Sequence, residues 1–155
     1  MSDIQLRPLM TFRPAADAST VHHVGTTPMG FARRVVFVSG GSFEGERLSG
    51  RVLPGGGDWL MRRPDGVLHL DVRCVLETRE GELIYMTYKG RRKTAPEIEQ
   101  RLLRGETVDA EEMYFRTLIE FEASASRLLW LNDIVAVGIG SRPAIGPTYQ
   151  VFEIR

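Results

Sequence analysis

Hydrophobic and polar positions alternate along most of this chain, the period-two pattern of strands with one buried face and one wet face. At the start, Ile4, Leu6, Met10 and Phe12 fall on one side, with Gln5, Arg7, Thr11 and Arg13 on the other. Pro8 within that run removes a ladder donor and marks an edge or a bulge. A polar, breaker-rich connection over residues 14–30 leads into 34–39, a strongly β-prone run punctuated by Gly40-Gly41. Residues 43–53 read as a further strand in which Gly45 and Gly50 allow sharp curvature. Pro54-Gly55-Gly56-Gly57 is a turn by chemistry, since proline fixes φ and glycine accepts positive φ. At least one of these glycines is expected at positive φ, with its backbone close to a cavity mouth. Residues 58–61 follow, then a hairpin turn at Pro64-Asp65-Gly66. Over 67–78, Leu68, Leu70, Val72, Cys74 and Leu76 alternate with His69, Asp71, Arg73 and Glu77, and Glu80-Gly81 turns the chain into an antiparallel partner at 83–88.

One helix interrupts the pattern. Thr94 can cap it, Pro96 suits a first turn, Glu97 and Glu99 favour its positive end, and Gly105 stops it. Ile98, Leu102 and Leu103 give a single apolar stripe, which predicts a lid or plug against a sheet. Strands resume at 112–122, 133–140 and 148–155. About eight or nine short strands without βαβ alternation predict an all-β fold, a closed antiparallel β-barrel with one short helix. Closure removes the edges that strands of this length would otherwise expose; a β-sandwich is the second choice. No repeat or linker divides the chain, so residues 1–155 read as a single β-barrel domain.

Charge and composition narrow the partners. Lys plus Arg and Asp plus Glu are 20 each, so no global field holds nucleic acid or an anionic membrane. Arg outnumbers Lys 18 to 2; arginine forks suit carboxylate and phosphate recognition, but a GC-rich genome gives the same bias and is the favoured reading. The lone cysteine, Cys74, closes no disulfide within the chain, and no signal-like or membrane-spanning apolar run is present. A soluble cytoplasmic protein is expected, with no nucleic-acid or membrane partner.

Most familiar chemistry is excluded on spacing. His22, His23 and His69 have no further ligand at metal spacing, so no metal is expected. Gly138-Ile139-Gly140-Ser141-Arg142-Pro143 puts proline where a dinucleotide fingerprint needs its third glycine, and no cofactor is expected. No Gly-x-Ser-x-Gly elbow occurs, and Cys74 lies in an alternating apolar row. Polar and aromatic residues at strand positions remain. Asp58-Trp59 follows the triple glycine, Asp71 and Arg73 share one face, Tyr114 and Arg116 share another, and Tyr88 ends an apolar strand. Trp130-Leu131-Asn132 precedes a further strand. In a small barrel these groups can converge in the lumen, or the arginines can pair with carboxylates on the solvent face.

Taken in order, Gly40-Gly41-Ser42-Phe43-Glu44-Gly45, Leu48-Ser49-Gly50 and Val52-Leu53-Pro54-Gly55-Gly56-Gly57-Asp58-Trp59 resemble the signature of the domain of unknown function 3237 family, also catalogued as uncharacterised protein family 0311. Leu70-Asp71-Val72-Arg73, Ile84-Tyr85 with Tyr88 and Gly90, Tyr114-Phe115-Arg116-Thr117 and Trp130-Leu131-Asn132 extend the similarity over nearly the whole chain. The resemblance implies a small barrel of lipocalin-like or allene-oxide-cyclase-like build and a homodimer, and brings no reaction with it. By the same similarity the motif residues are Asp58, Trp59, Asp71, Arg73, Tyr88, Arg116, Trp130 and Asn132. Cys74 stands where the family more commonly has an aromatic residue, which implies a locally roomier barrel.

Two classes of function follow, and a structural or interaction module is the third. The first is binding of a small, partly apolar carboxylate or carbonyl compound, held by Arg73 and Arg116 between walls of Trp59, Tyr88 and Trp130, with Asn132 as a further ligand-binding residue. The second is cofactor-independent catalysis in the same cavity, as an isomerase, cyclase or hydrolase. Asp58 or Asp71 would be the general base, and Tyr88 with an arginine would stabilise developing negative charge. Arg73, Arg116, Trp130 and Asp58 are expected to share one pocket. The carboxylates separate the two classes: a catalytic one is buried, with a raised pKa and no tight arginine partner, whereas a clamped one only orients.

Overall fold

A computed structural model describes residues 3–155 and turns the period-two segments into ten strands. These are β1 (Leu6–Ala16), β2 (His22–Thr26), β3 (Ala32–Glu44), β4 (Ser49–Val52), β5 (Gly57–Arg62), β6 (Leu68–Thr78), β7 (Leu83–Lys93), β8 (Tyr114–Ala123), β9 (Ala136–Ser141) and β10 (Thr148–Ile154), with a single α-helix, α1 (Pro96–Leu103). All pairings are antiparallel. The circuit runs β1–β3–β4/β5–β6–β7–β8–β9–β10 and back to β1, so β4 and β5 share one of eight positions and β2 extends the edge of β3 beyond β1. The expected closed antiparallel barrel is present.

Alternation sets which side of the wall each residue takes. On β6, Leu68, Leu70, Val72, Cys74, Leu76 and Thr78 are all buried, while His69, Asp71, Arg73, Val75 and Glu77 face outward. The inner rows of β7 and β8 (Ile84, Met86 and Tyr88; Phe115, Thr117, Ile119 and Phe121) meet them in the lumen, with Phe12, Phe43, Tyr149 and Val151 from the other wall. Gly90, Gly138 and Gly140 continue these inner rows because their neighbours need the space. A methyl at Gly90 or Gly138 would overlap Thr117, and one at Gly140 would overlap the Phe115 ring.

Several boundaries differ from the alternation reading. β3 passes straight through Gly40-Gly41 instead of stopping there. Both glycines have positive φ, and Gly41 lies so close to the β1 backbone that a Cβ would sit 2.9 Å from the Pro14 Cα. They bend the strand where it passes from β5 to β4. The connection at 14–30 contains β2, whose five residues are all exposed and therefore carry no apolar alternation. The segment before β9 is a 3-10 turn, Ser126–Asp133, whose Leu128 and Leu131 plug one end of the barrel.

Helix α1 covers the other end. Its N-cap is Ala95, not Thr94, and Gly105 (φ +72°) ends it. Ile98 and Leu102 pack against the core, whereas Leu103 is exposed.

Candidate functional site

The end of the barrel under α1 concentrates charge on the inner face of the wall. Arg62 follows Asp58 and Leu60 in the inner row of β5, Arg92 follows Tyr88 and Gly90 in β7, and Arg142 follows Gly138 and Gly140 just beyond β9. Arg34 lies opposite Leu60 on β3 and so takes the same inner face. These four guanidinium groups are close enough to repel one another. Burial lowers the pKa of both Arg34 and Arg92, and the neighbouring arginines add to it. Arginine stays protonated through such shifts, so they record a free-energy cost of holding the cations together.

Glu99 of α1 offsets part of that charge. Its carboxylate accepts from Arg62 at 2.7 Å, from Arg92 at 3.3 Å and from the Thr94 hydroxyl at 2.8 Å. Burial works against the charged form, yet these partners hold the Glu99 pKa below the usual carboxylate value. Arg34 and Arg142 form no ion pair within the described residues, and the buried Arg34 Nε has no hydrogen-bond partner. A cleft of about 170 Å³ opens here, lined by His23, Ala32, Arg34, Leu60 and Arg62 among others.

Asp58 lies deeper in the same row. It is opposite Val36 and Val72, whose side chains set its inward direction. The β5–β6 pairing is interrupted between Asp58 and Met61, and there the Asp71 amide donates to the Asp58 carboxylate at 3.0 Å. Burial raises the Asp58 carboxyl from 3.8 to about 6, against the lowering effects of that hydrogen bond and of Arg34. Next to it in the lumen, Tyr88 and Tyr149 pack edge to face with centroids 5.4 Å apart. Phe12 and Phe115 complete an aromatic wall around Tyr149. Burial drives both phenols to higher pKa.

The other residues singled out in the sequence lie elsewhere. Asp71 and Arg73 share a face as expected, but it is the outer one, and the Arg73 guanidinium sits 3.6 Å from the Asp71 carboxylate. Arg73 also lies over the Trp59 ring at 5.1 Å, so Trp59 is an outer-face residue as well. Arg116 is on the same outer face two strands away, stacked on Tyr114 at 5.4 Å. Arg73 lines an outer cleft of about 410 Å³ and Arg116 a neighbouring one of about 770 Å³. Trp130 and Asn132 stand in the plug at the opposite end of β8. Trp130 stacks with Arg47 at 4.4 Å, and the Asn132 side chain exchanges hydrogen bonds of 3.0 and 2.8 Å with the Ala123 backbone.

The expectation that Arg73, Arg116, Trp130 and Asp58 share one pocket is therefore corrected. Asp58 alone of the four faces the lumen mouth: alternation along β6 and β8 turns Arg73 and Arg116 to the outer face, and Trp130 stands in the plug at the other end. Gly55 has positive φ (+107°), as expected of one glycine in the turn. Gly56 is the one in close approach, and it meets the β6 backbone at Cys74 instead of a cavity mouth. Cys74 is buried, with its thiol pushed up to about 12 by burial. Among the described residues no three His, Cys, Asp or Glu side chains stand close enough to hold a metal, and no helix is long and apolar enough to cross a membrane.

The residues missed in the sequence are Arg34, Arg62, Arg92, Arg142, Glu99 and Tyr149. Fold and site together define a small closed barrel with a basic, helix-covered mouth above a buried carboxyl and two phenols. The chain belongs to the family described as protein of unknown function DUF3237, whose profile matches residues 4–154. It is similar to a UPF0311 protein of Rhodopseudomonas palustris, 34% identical over 138 residues, which are 89% of this chain and 88% of that one. A UPF0311 protein of Bradyrhizobium diazoefficiens is 35% identical over 143 residues, covering 92% and 93% of the two chains. A crystallised β-barrel-like protein of Acinetobacter baumannii superposes with a TM-score of 0.84 at 36% identity, covering 100% of this chain and 98% of the other. A structure described as an enzyme from Penicillium herquei has a TM-score of 0.74 over 100% of this chain and 97% of its own, but at 17% identity it shares the fold alone.

Proposed function

We propose that the protein binds a small, partly apolar organic anion, a carboxylate or the enolate of a carbonyl compound, at the α1-covered mouth of the barrel. One observation carries the reading: among the described residues, four inward guanidinium groups face two carboxylates, Glu99 and Asp58. Two of the cations, Arg34 and Arg142, have no ion-pair partner within the described residues. Both are half-buried; desolvated charge is tolerated when paired, and an anionic ligand would supply the missing pair. Arg34 and Arg142 would hold its charged end, while Leu60, Tyr149 and Phe115 would contact its apolar part.

A panel of aliphatic and aromatic monocarboxylates, titrated calorimetrically, tests this. Arg34→Met keeps much of the apolar stem and removes the guanidinium. It is expected to cost about 1.5–3 kcal/mol of affinity, the scale of a charged hydrogen bond. Arg116→Met on the outer face should leave affinity unchanged. If Arg116→Met weakens binding and Arg34→Met does not, the anion sits in the outer clefts with Arg73 and Trp59, and the mouth reading is lost.

Asp58 favours a second reading, proton transfer to or from the bound carbonyl compound as in a cofactor-independent isomerase, cyclase or hydrolase. It is buried, raised to about 6 and free of a salt bridge within the described residues, whereas Asp71 is paired with Arg73. Asp58 would take the proton, and the Tyr88–Tyr149 phenols with Arg34 would stabilise the resulting oxyanion. Exchange of the α-hydrogens of a bound 2-oxo acid with D2O, followed by NMR, should be catalysed by the wild type and lost in Asp58→Asn, with binding retained.

A further inference from the structure

We infer that the outer face of β7, β8 and β9 joins two copies of this chain about a two-fold axis that lies in the interface and runs across the strands at Leu118. Along β8 the outward residues are Tyr114, Arg116, Leu118, Glu120 and Glu122, and Leu118 (63%) and Tyr114 (56%) are among the most exposed large apolar residues of the barrel wall. Val137 lies beside Leu118 and Ile139 beside Arg116 on β9, and with Leu6 and Tyr114 they line an outer cleft of about 770 Å³. A contiguous apolar groove rimmed by charge on an outer sheet face is the mark of a protein–protein contact.

The order of charges selects the partner. Arg116 and its neighbour Arg91 make one end of the face basic, and Glu120 and Glu122 make the other end acidic, with Leu118 midway between them. A two-fold axis across the strands reverses the strand direction between copies. Leu118 then meets Leu118 of the second copy, and each Arg116 meets a Glu120. An axis along the strands would instead set arginine on arginine. Asp71, Lys89 and Leu118 share one register row, so Lys89 and Asp71 lie on the axis, where each faces its own copy and is neutralised by its neighbour in the row. The face is thus complementary to itself, as an isologous dimer interface must be.

Sedimentation of the intact chain tests the pairing, with circular dichroism as the check on folding. The wild type is expected to be a dimer at about 100 µM. Leu118→Glu should make it monomeric with the fold intact. Glu120→Arg should weaken the dimer by about tenfold or more, and adding Arg116→Glu to it should restore most of that loss. If Glu120→Arg does not fold, Arg116→Glu starts the same cycle. A monomeric wild type, a Leu118→Glu protein that remains dimeric, or a double variant no tighter than the single one would each overturn the inference.

Discussion

Asp58 faces the lumen near Arg34 but forms no salt bridge within the described residues, and burial raises its carboxyl from 3.8 to about 6. A folded-state pKa above the unfolded value means that the folded chain binds the proton more tightly. Its contribution to stability is therefore full below about pH 3.8 and is lost as pH rises to about 6. Asp58→Asn keeps an acceptor for the Asp71 amide and removes the titration. The variant should match the wild type near pH 4 and exceed it above pH 7 by about 1–3 kcal/mol, measured by urea unfolding. A gap that does not change with pH would show that Asp58 is not held in its desolvated place. Glu99 titrates in the opposite sense in both proteins and so leaves the difference intact. At this scale the site was half legible. Asp58 and Tyr88 stand out in the sequence, and alternation alone places Arg62 with Leu60, Arg92 with Tyr88 and Arg142 with Gly140 on inner rows. What no single strand reveals is that these row ends meet under one helix, since that depends on the stagger of the whole barrel.

Among the elements, the turn from β4 to β5 separates two reasons for glycine. Gly55 has positive φ with open space around its missing side chain, so Gly55→Ala should cost only the backbone strain, about 1 kcal/mol. A methyl at Gly56 would overlap the Arg73 carbonyl oxygen and sit 2.9 Å from the Cys74 Cα. Both contacts are backbone, so β5 and β6 would have to separate beside Asp58. Gly56→Ala should therefore cost more, about 2–3 kcal/mol or above, on the scale of overpacked cores. Equal losses in thermal unfolding would refute this assignment. Strands with one apolar face, such as β6 and β8, were legible almost to the residue. β2 was not, because none of its side chains is buried: backbone pairing to β3 and the edge-to-face contact of His22 with Phe37 hold it. β3 was cut at Gly40-Gly41 because a glycine pair that bends a strand looks the same in sequence as one that ends it.

Across the whole molecule, closure depends on the pairing of the first and last strands. β10 lies between β9 and β1, and Gln5 and Arg155 exchange backbone hydrogen bonds of 3.3 and 2.9 Å. Arg47 reaches across to Glu153 at 2.6 Å near the same seam. Deleting residues 148–155 would leave β9 and β1 with unpaired edges and uncover the fully buried Phe12, so the shortened chain is expected to aggregate. The proximity of Gln5 and Arg155 makes a complementary experiment possible. A short Gly-Ser linker can join residues 5 and 155, with new ends opened at Asp65-Gly66, an exposed turn between β5 and β6. All strand pairings survive that rearrangement, so the permuted chain should fold to the same barrel. Its stability should lie within about 1–2 kcal/mol of the parent, the difference set by the changed loop entropy. Opening the chain instead between Gly56 and Gly57, where the backbone is packed against β6 and β3, should cost far more. A permutant opened at Asp65-Gly66 that fails to fold would show that the hairpin it interrupts, and not the β1–β10 seam, organises the barrel.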